Sequence, residues 1–263
     1  MRERTPLPRE ILQSLPKLKL IASTGARNAS IDMAAAKELG IAVTATDYRS
    51  TPTIELTWAL ILASVRPVIR ENEAAVRDGR WQTSIGEELS GKILGVLGLG
   101  NIGAAVARIG LAFGMKIIAW SQNMTPEKAE TAGATLVSKD ELFRQADIVT
   151  IHLILSGRTR GLVGAAELAL MKPTSRLINT SRGPIIDEAA LVKALRSHAL
   201  AGAAIDVFDQ EPLPSQHPFR TMDNVLATPH IGYVTENLYR TFYGDAVTSI
   251  TAWLDKQAEG KAE

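Results

Sequence analysis

Cysteine is absent from the 263-residue chain, which excludes disulfides, thiolate metal sites and a cysteine nucleophile. Histidine is scarce. The four present, at 152, 198, 217 and 230, include no two at ligand spacing, so no metal site is expected. An excess of one charge sign is missing as well: 29 Lys and Arg stand against 28 Asp and Glu. With both signs spread along the chain, there is neither a basic stripe for nucleic acid nor an acidic partner arm. The most apolar run, LTWALILASV at 56–65, is bounded by Glu55 and Arg66 and is too short to span a bilayer. The start, MRERTPLPRE, has no apolar segment of the kind a secretory signal needs. These absences lead to the expectation of a cytoplasmic protein with no membrane or nucleic-acid partner. What remains is an ordinary globular composition, 46% hydrophobic, with room for one large domain or two modest ones.

From residue 92 onward, short β-branched runs alternate with amphipathic stretches. KILGVLG (92–98), KIIAWS (116–121), DIVTIHL (147–153), SRLINTS (175–181), LAGAAIDV (200–207) and NVLAT (224–228) read as six strands. Helices are expected at 101–113, 125–132, 164–171 and 187–198. Thr125-Pro126 supplies a hydroxyl cap with Pro at the first helical position. Ser138 to Glu141 fits a capping box, and Asp187 can cap the helix after it. Strands apolar on both faces and separated by helices mean a parallel sheet covered on both sides. Upstream, 18–22 and 41–46 read as two further strands around a helix at 31–39. The 54–77 stretch reads as one long helix kinked or broken at Pro67, and 234–257 as a terminal helix.

GVLGLGNIG places Gly98, Gly100 and Gly103 in G-x-G-x-x-G between a strand and a helix. The first glycine permits a tight turn, the second a close backbone approach to pyrophosphate, and the third helix–strand packing. The helix that follows, from Asn101 and Ile102, aims its positive end at the anion. The spacing predicts an α/β chain: a doubly wound parallel sheet of Rossmann type, with a second, smaller domain built from both chain ends. The next strand ends at Ser121 where an acid would accept from the adenosine ribose, and no Arg stands at 121–123 to attract a 2′-phosphate. NAD is the expected cofactor, NADP stays open, and weak discrimination follows.

Three more signals sit at strand ends: Arg182 in INTSRGPIID, Asp206 and Glu211 in AAIDVFDQEP, and His230 in ATPHIG. Alone, each has a plain reading, and a His beside Pro229 is most simply a hydrogen-bonded loop residue. In a doubly wound sheet, however, all would share the carboxyl-end rim with the glycine loop, where ligands bind.

The glycine loop 98–103, NTSRGPIID (179–187), AGAAIDVFDQEPLP (201–214) and NVLATPHIG (224–232) together resemble the D-isomer-specific 2-hydroxyacid dehydrogenases. That family includes D-3-phosphoglycerate dehydrogenase and the glyoxylate/hydroxypyruvate reductases. GARNASID (25–32) and RWQTSIGEELSGKILGVLG (80–98) extend the likeness over nearly the whole chain. The resemblance implies hydride transfer between a nicotinamide cofactor and a small 2-keto or 2-hydroxy acid. Arg182 would hold the substrate's carboxylate and carbonyl oxygen, His230 would be the acid/base, and Glu211 its orienting partner. Asp206 would contact the nicotinamide carboxamide, with Thr180 and Ser121 also lining the cofactor. The backbone amides of Gly25 and Ala26 would grip the carboxylate, with Arg27 nearby. Glu211 disfavours formate as substrate, because formate-oxidising members carry Gln there.

The resemblance also divides the chain. Residues 1–53 would be a partial, flavodoxin-like substrate domain, 54–231 the dinucleotide-binding domain with a dimerisation helix at its start, and 232–263 a helix returning to the substrate domain. Met1 resembles an internal methionine of the family, so the substrate domain is expected to be truncated. The apolar residues Ile54, Leu56, Trp58, Ile61, Leu62 and Val65 would supply the face of a homodimer. Ile154 stands where the family has proline; His152 reads as structural or cofactor-lining, and His198 and His217 as surface residues. An alternative from a different class is an NAD(H)-binding fragment or sensor module with little turnover.

Overall fold

The computed structural model describes residues 5–25 and 28–259. In chain order the first elements are α1 (Arg9–Gln13), β1 (Leu20–Ala22), α2 (Met33–Glu38), β2 (Ala42–Thr44), α3 (Thr51–Val65) and α4 (Val68–Asn72). Next come β3 (Ile93–Leu97), α5 (Asn101–Ala112), β4 (Lys116–Trp120), α6 (Pro126–Thr131), β5 (Thr135–Leu136), α7 (Lys139–Gln145) and β6 (Ile148–Ile151). The last are α8 (Ala165–Leu170), β7 (Arg176–Asn179), α9 (Glu188–Arg196), β8 (Gly202–Ile205), β9 (Val225–Ala227) and α10 (Glu236–Glu259). Two compact units result, one from Met1–Arg49 with Tyr233–Glu263 and the other from Ser50–Gly232.

In the smaller unit β1 and β2 pair in parallel, Ile21 opposite Val43. Leu12, Ile21, Ile31, Ala35, Ala36 and Ile41 form its core. Asp32 caps α2 by accepting from the Ala35 N–H at 2.8 Å, and α10 buries Leu238 and Phe242.

The larger unit is a seven-stranded parallel sheet in the order β5-β4-β3-β6-β7-β8-β9. The order reverses between β3 and β6, and the crevice beyond the strand ends there is where such sheets bind ligands. The two faces bury separate clusters. Trp58, Ile61 and Val65 of α3 lie with Leu94, Val96 and Ile178 on one side. Leu142, Phe143, Ile151, Leu177 and Leu195 fill the other. Burial on both faces is what the near-continuous apolar strands require.

Two expectations differ from the structure, the number of strands and the exposed face of α3. The sheet has a seventh strand, β5, whose two residues are too few to carry a period. The Ser138 capping box forms as expected and opens α7, which the expected helices did not include: Ser138 accepts from the Glu141 N–H at 3.2 Å while Glu141 accepts from the Ser138 N–H at 2.9 Å. The apolar residues of α3 do not form an exposed face, because Trp58, Ile61 and Val65 are core and of this set only Leu62 is exposed. The 54–77 stretch breaks at Pro67, with a bend of 62° between Thr51–Val65 and Val68–Arg77. Among the described residues no single helix is long and apolar enough to cross a membrane.

Candidate active site

The glycine turn joins β3 to α5 at the sheet's switch point. Gly98 has φ +98° and its N–H donates to the Trp120 carbonyl at 2.8 Å. A Cβ at Gly98 would stand 2.7 Å from the His152 carbonyl oxygen, and one at Gly103 would stand 2.1 Å from the Gly98 carbonyl oxygen. Both glycines are therefore needed for the turn to close. Gly100 differs: a Cβ there would meet nothing within 4 Å, and no side chain caps α5. An open approach to bare backbone and the uncapped N–H groups of Asn101 and Ile102 fit a dinucleotide's pyrophosphate. At the end of β4, Ser121 is half-buried, Gln122 and Asn123 are exposed, and no carboxylate stands at 121–123.

Arg182 follows β7 and sits half-buried, its Nη1 donating to the Ser181 carbonyl at 2.7 Å. Asn179 braces this turn, its amide donating to the Arg182 carbonyl at 3.0 Å. Glu211 lies in the loop after β8, and His230 in the turn after β9. The His230 Nδ1–H donates to Glu211 Oε2 at 2.6 Å, both side chains being less than one-fifth exposed. The other Glu211 oxygen accepts from the Phe208 N–H at 3.1 Å. A carboxylate on Nδ1 fixes the tautomer and the ring orientation.

His230 has φ +56°, a left-handed conformation that costs a non-glycine residue about 1–3 kcal/mol. Asp206, fully buried beside it, holds that turn in place. Its carboxylate accepts from the Thr228 hydroxyl at 2.6 Å, the Ile231 N–H at 2.8 Å and the Gly232 N–H at 2.8 Å. Burial pushes the Asp206 carboxyl up from the usual carboxylate range, and these three donors act in the opposite direction. The expected carboxamide contact of Asp206 therefore meets a carboxylate already engaged by the His230 turn.

Residues 58–232 match the family model of the D-isomer specific 2-hydroxyacid dehydrogenase NAD-binding domain. The chain belongs to this family. A glyoxylate reductase of Aeropyrum pernix is 44% identical over 236 residues, covering 86% of this chain and 70% of the relative. A D-3-phosphoglycerate dehydrogenase of Methanocaldococcus jannaschii is 41% identical, covering 90% of this chain and 45% of the relative. Among solved structures, a phosphoglycerate oxidoreductase from Vibrio cholerae superposes with a TM-score of 0.92 at 36% identity, over 97% of this chain and 82% of that one. A D-lactate dehydrogenase from Aquifex aeolicus, complexed with NAD and lactic acid, gives 0.82 at 29% identity, over 98% and 83%. This dehydrogenase is thus an oxidoreductase that moves a hydride between NAD and a small hydroxy or keto acid.

Thr180, buried at the end of β7, shares a 2.8 Å hydrogen bond with Thr57 of α3, and Thr53 one turn earlier donates to the Gly232 carbonyl at 3.1 Å. The helix α3 thus braces both the Arg182 and His230 turns, a role its apolar sequence did not suggest. The Gly25 N–H donates to the Thr46 hydroxyl at 2.8 Å, so it is engaged inside its own unit, and Ala26 and Arg27 lie outside the described residues. His152 bonds through Nε2 to Thr150 at 2.9 Å, and burial pushes it down to about 3, so the ring is neutral. His198 is exposed as expected. His217 is not a surface residue: its side chain is 12% exposed and paired with Glu188.

Proposed function

We propose that this dehydrogenase reduces small 2-keto acids of the glyoxylate and hydroxypyruvate class to D-2-hydroxy acids. The 2.6 Å bond between His230 Nδ1 and Glu211 carries the reading. It holds an imidazole with Nε2 directed to donate a proton at the rim that also bears the glycine turn. When bound, the nicotinamide supplies the hydride. As negative charge grows on the substrate's carbonyl oxygen, Nε2–H of His230 protonates that oxygen, and Glu211 stabilises the imidazolium before the transfer. Arg182 offers a planar, permanently charged fork to the carboxylate and carbonyl oxygen. Asp206 acts by holding the His230 turn.

With neither a carboxylate nor an arginine at 121–123, discrimination between NAD and NADP is weak. A homodimer is supported by exposed apolar residues of the larger unit, among them Val68, Ile69, Trp81 and Ile85, the last two 80% and 99% exposed. The test is oxidation of NADH and NADPH at 340 nm with glyoxylate, hydroxypyruvate, pyruvate and phosphohydroxypyruvate. Turnover with the smaller acids and both cofactors is the expected result; no turnover with any acid would overturn the reading.

A further inference from the structure

A second histidine–carboxylate pair stands in the same unit, His217 with Glu188, and nothing in the proton transfer itself uses it. His217 precedes a short helical turn, Pro218–Arg220. Its Nδ1 accepts from the Phe219 N–H at 3.2 Å, so the ring's hydrogen resides on Nε2, which donates to Glu188 Oε1 at 2.9 Å. The ring also stands edge-on to Phe219, 4.7 Å between centroids. Glu188 opens α9, whose start is fixed by the Asp187 cap on the Ala190 N–H at 3.0 Å. Its second oxygen accepts from the Asp209 N–H at 3.2 Å.

Asp209 is one residue from Phe208, whose own N–H donates to Glu211. Two consecutive N–H groups of one loop therefore point at two carboxylates, Glu188 on one side and Glu211 on the other. Only the Phe208 Cα separates the two peptides, so a displacement of the Asp209 N–H that carries this atom with it also moves the Phe208 N–H. The peptide has no slack beneath it either: a Cβ at Gly183, next to Arg182, would lie 2.1 Å from the Phe208 carbonyl carbon. The side chains of Asp209, Gln210 and Pro212 are exposed, so packing alone does not set this loop.

We propose that His217 and Glu188 are positioning residues for the Glu211–His230 pair, acting through the Phe208–Asp209 peptide. This rests on the reading of Glu211 and His230 as the proton-transfer pair. His217 orients Glu188, Glu188 fixes the Asp209 N–H, and the loop so fixed presents Glu211 at 2.6 Å from His230. Displacements of an ångström at such a pair cost about 100-fold in rate.

The two isosteres of histidine separate this role from simple capping. His217→Gln places an amide N–H near the Nε2 position, keeping the bond to Glu188 while losing the Phe219 contact. His217→Asn keeps an acceptor for Phe219 but cannot reach Glu188. The expected kcat is within about 3-fold of wild type for H217Q and about 10- to 100-fold lower for H217N, with the NADH Kd and the keto-acid KM unchanged in both. Equal kcat in the two variants, or greater loss in H217Q, would overturn the proposal. Hydrogen exchange of segment 207–212, followed by mass spectrometry, gives a readout independent of turnover. Faster exchange there in H217N, but not in H217Q, is expected. Unchanged exchange in H217N refutes the positioning link even if the wild-type chain reduces none of the acids, whereas inactivity with the expected exchange pattern would fault only the catalytic reading.

Discussion

Replacing Gly183 by alanine perturbs the site at one atom. The added methyl would lie 2.1 Å from the Phe208 carbonyl carbon, 2.3 Å from its oxygen and 2.7 Å from the Asp209 nitrogen. All three are backbone atoms, so no side chain can swing away, and relief requires the peptide to move by about 1 Å or more to reach ordinary contact. That peptide is joined to the Phe208 N–H, which holds Glu211 at 3.1 Å. Overpacking of this kind costs about 1–3 kcal/mol, which lowers the Tm of a chain this size by about 2–10 °C. The displacement of Glu211 should lower kcat by about 100-fold. Gly157→Ala is the control, because a Cβ there meets nothing within 4 Å. Steady-state kinetics at 340 nm and thermal melts of both variants decide the matter. A Gly183→Ala enzyme with wild-type kcat and Tm would refute the claim that the Arg182 and Glu211 turns are packed against each other without slack.

Asp206→Asn leaves a buried amide that accepts through only one atom, so at least one of the Ile231 and Gly232 N–H groups loses its partner. A loss of about 1–3 kcal/mol and at least 10-fold in kcat is expected from melts and kinetics, whereas an unchanged enzyme would remove the anchor role. His152 titrates near 3 in the folded chain against an ordinary 6.5, so between these values the unfolded chain binds the extra proton. Its contribution is complete above pH 6.5 and falls as pH drops, by about 2 kcal/mol at pH 5. Urea unfolding at pH 7 and pH 5 should show that loss in wild type but not in His152→Gln. Ser121→Asp restores a ribose acceptor and repels a 2′-phosphate. It should raise the NADH/NADPH ratio of kcat/KM by more than 10-fold, from a wild-type preference below 100-fold for either cofactor.

The dinucleotide-binding fold was legible because its strands are apolar on both faces and its helices carry local start signals, Pro126 in the first turn of α6 and the side-chain caps Ser138 and Asp187; Thr125 stands at the N-cap of α6 but its hydroxyl makes no capping bond. The glycine spacing was legible because each glycine answers a separate steric demand, and Gly98 and Gly103 meet theirs within 3 Å. What stayed hidden depended on partners distant in sequence. The apolar residues of α3 lie nearly all round the helix, so periodicity could not tell a core face from an exposed one. His217 looked like a surface residue because its partner, Glu188, is 29 residues away. Asp206 was recognisable as a site residue, but its bonds to Thr228, Ile231 and Gly232 exist only once β8 and β9 are side by side. Of the exposed apolar residues beyond Pro67, Val68 and Ile69 lie in the five-residue α4, too short to show a period, and Trp81 and Ile85 in irregular chain, where no period marks a face.

His230, held by Glu211, is proposed to deliver the proton, a role that one comparison can decide. It is tested most directly by comparing wild type and His230→Ala on the same samples, with NADH binding read by fluorescence titration and glyoxylate reduction read at 340 nm. The NADH Kd should agree within about 2-fold while kcat falls by about 100- to 10,000-fold. A variant that binds NADH normally and keeps its wild-type kcat would contradict it.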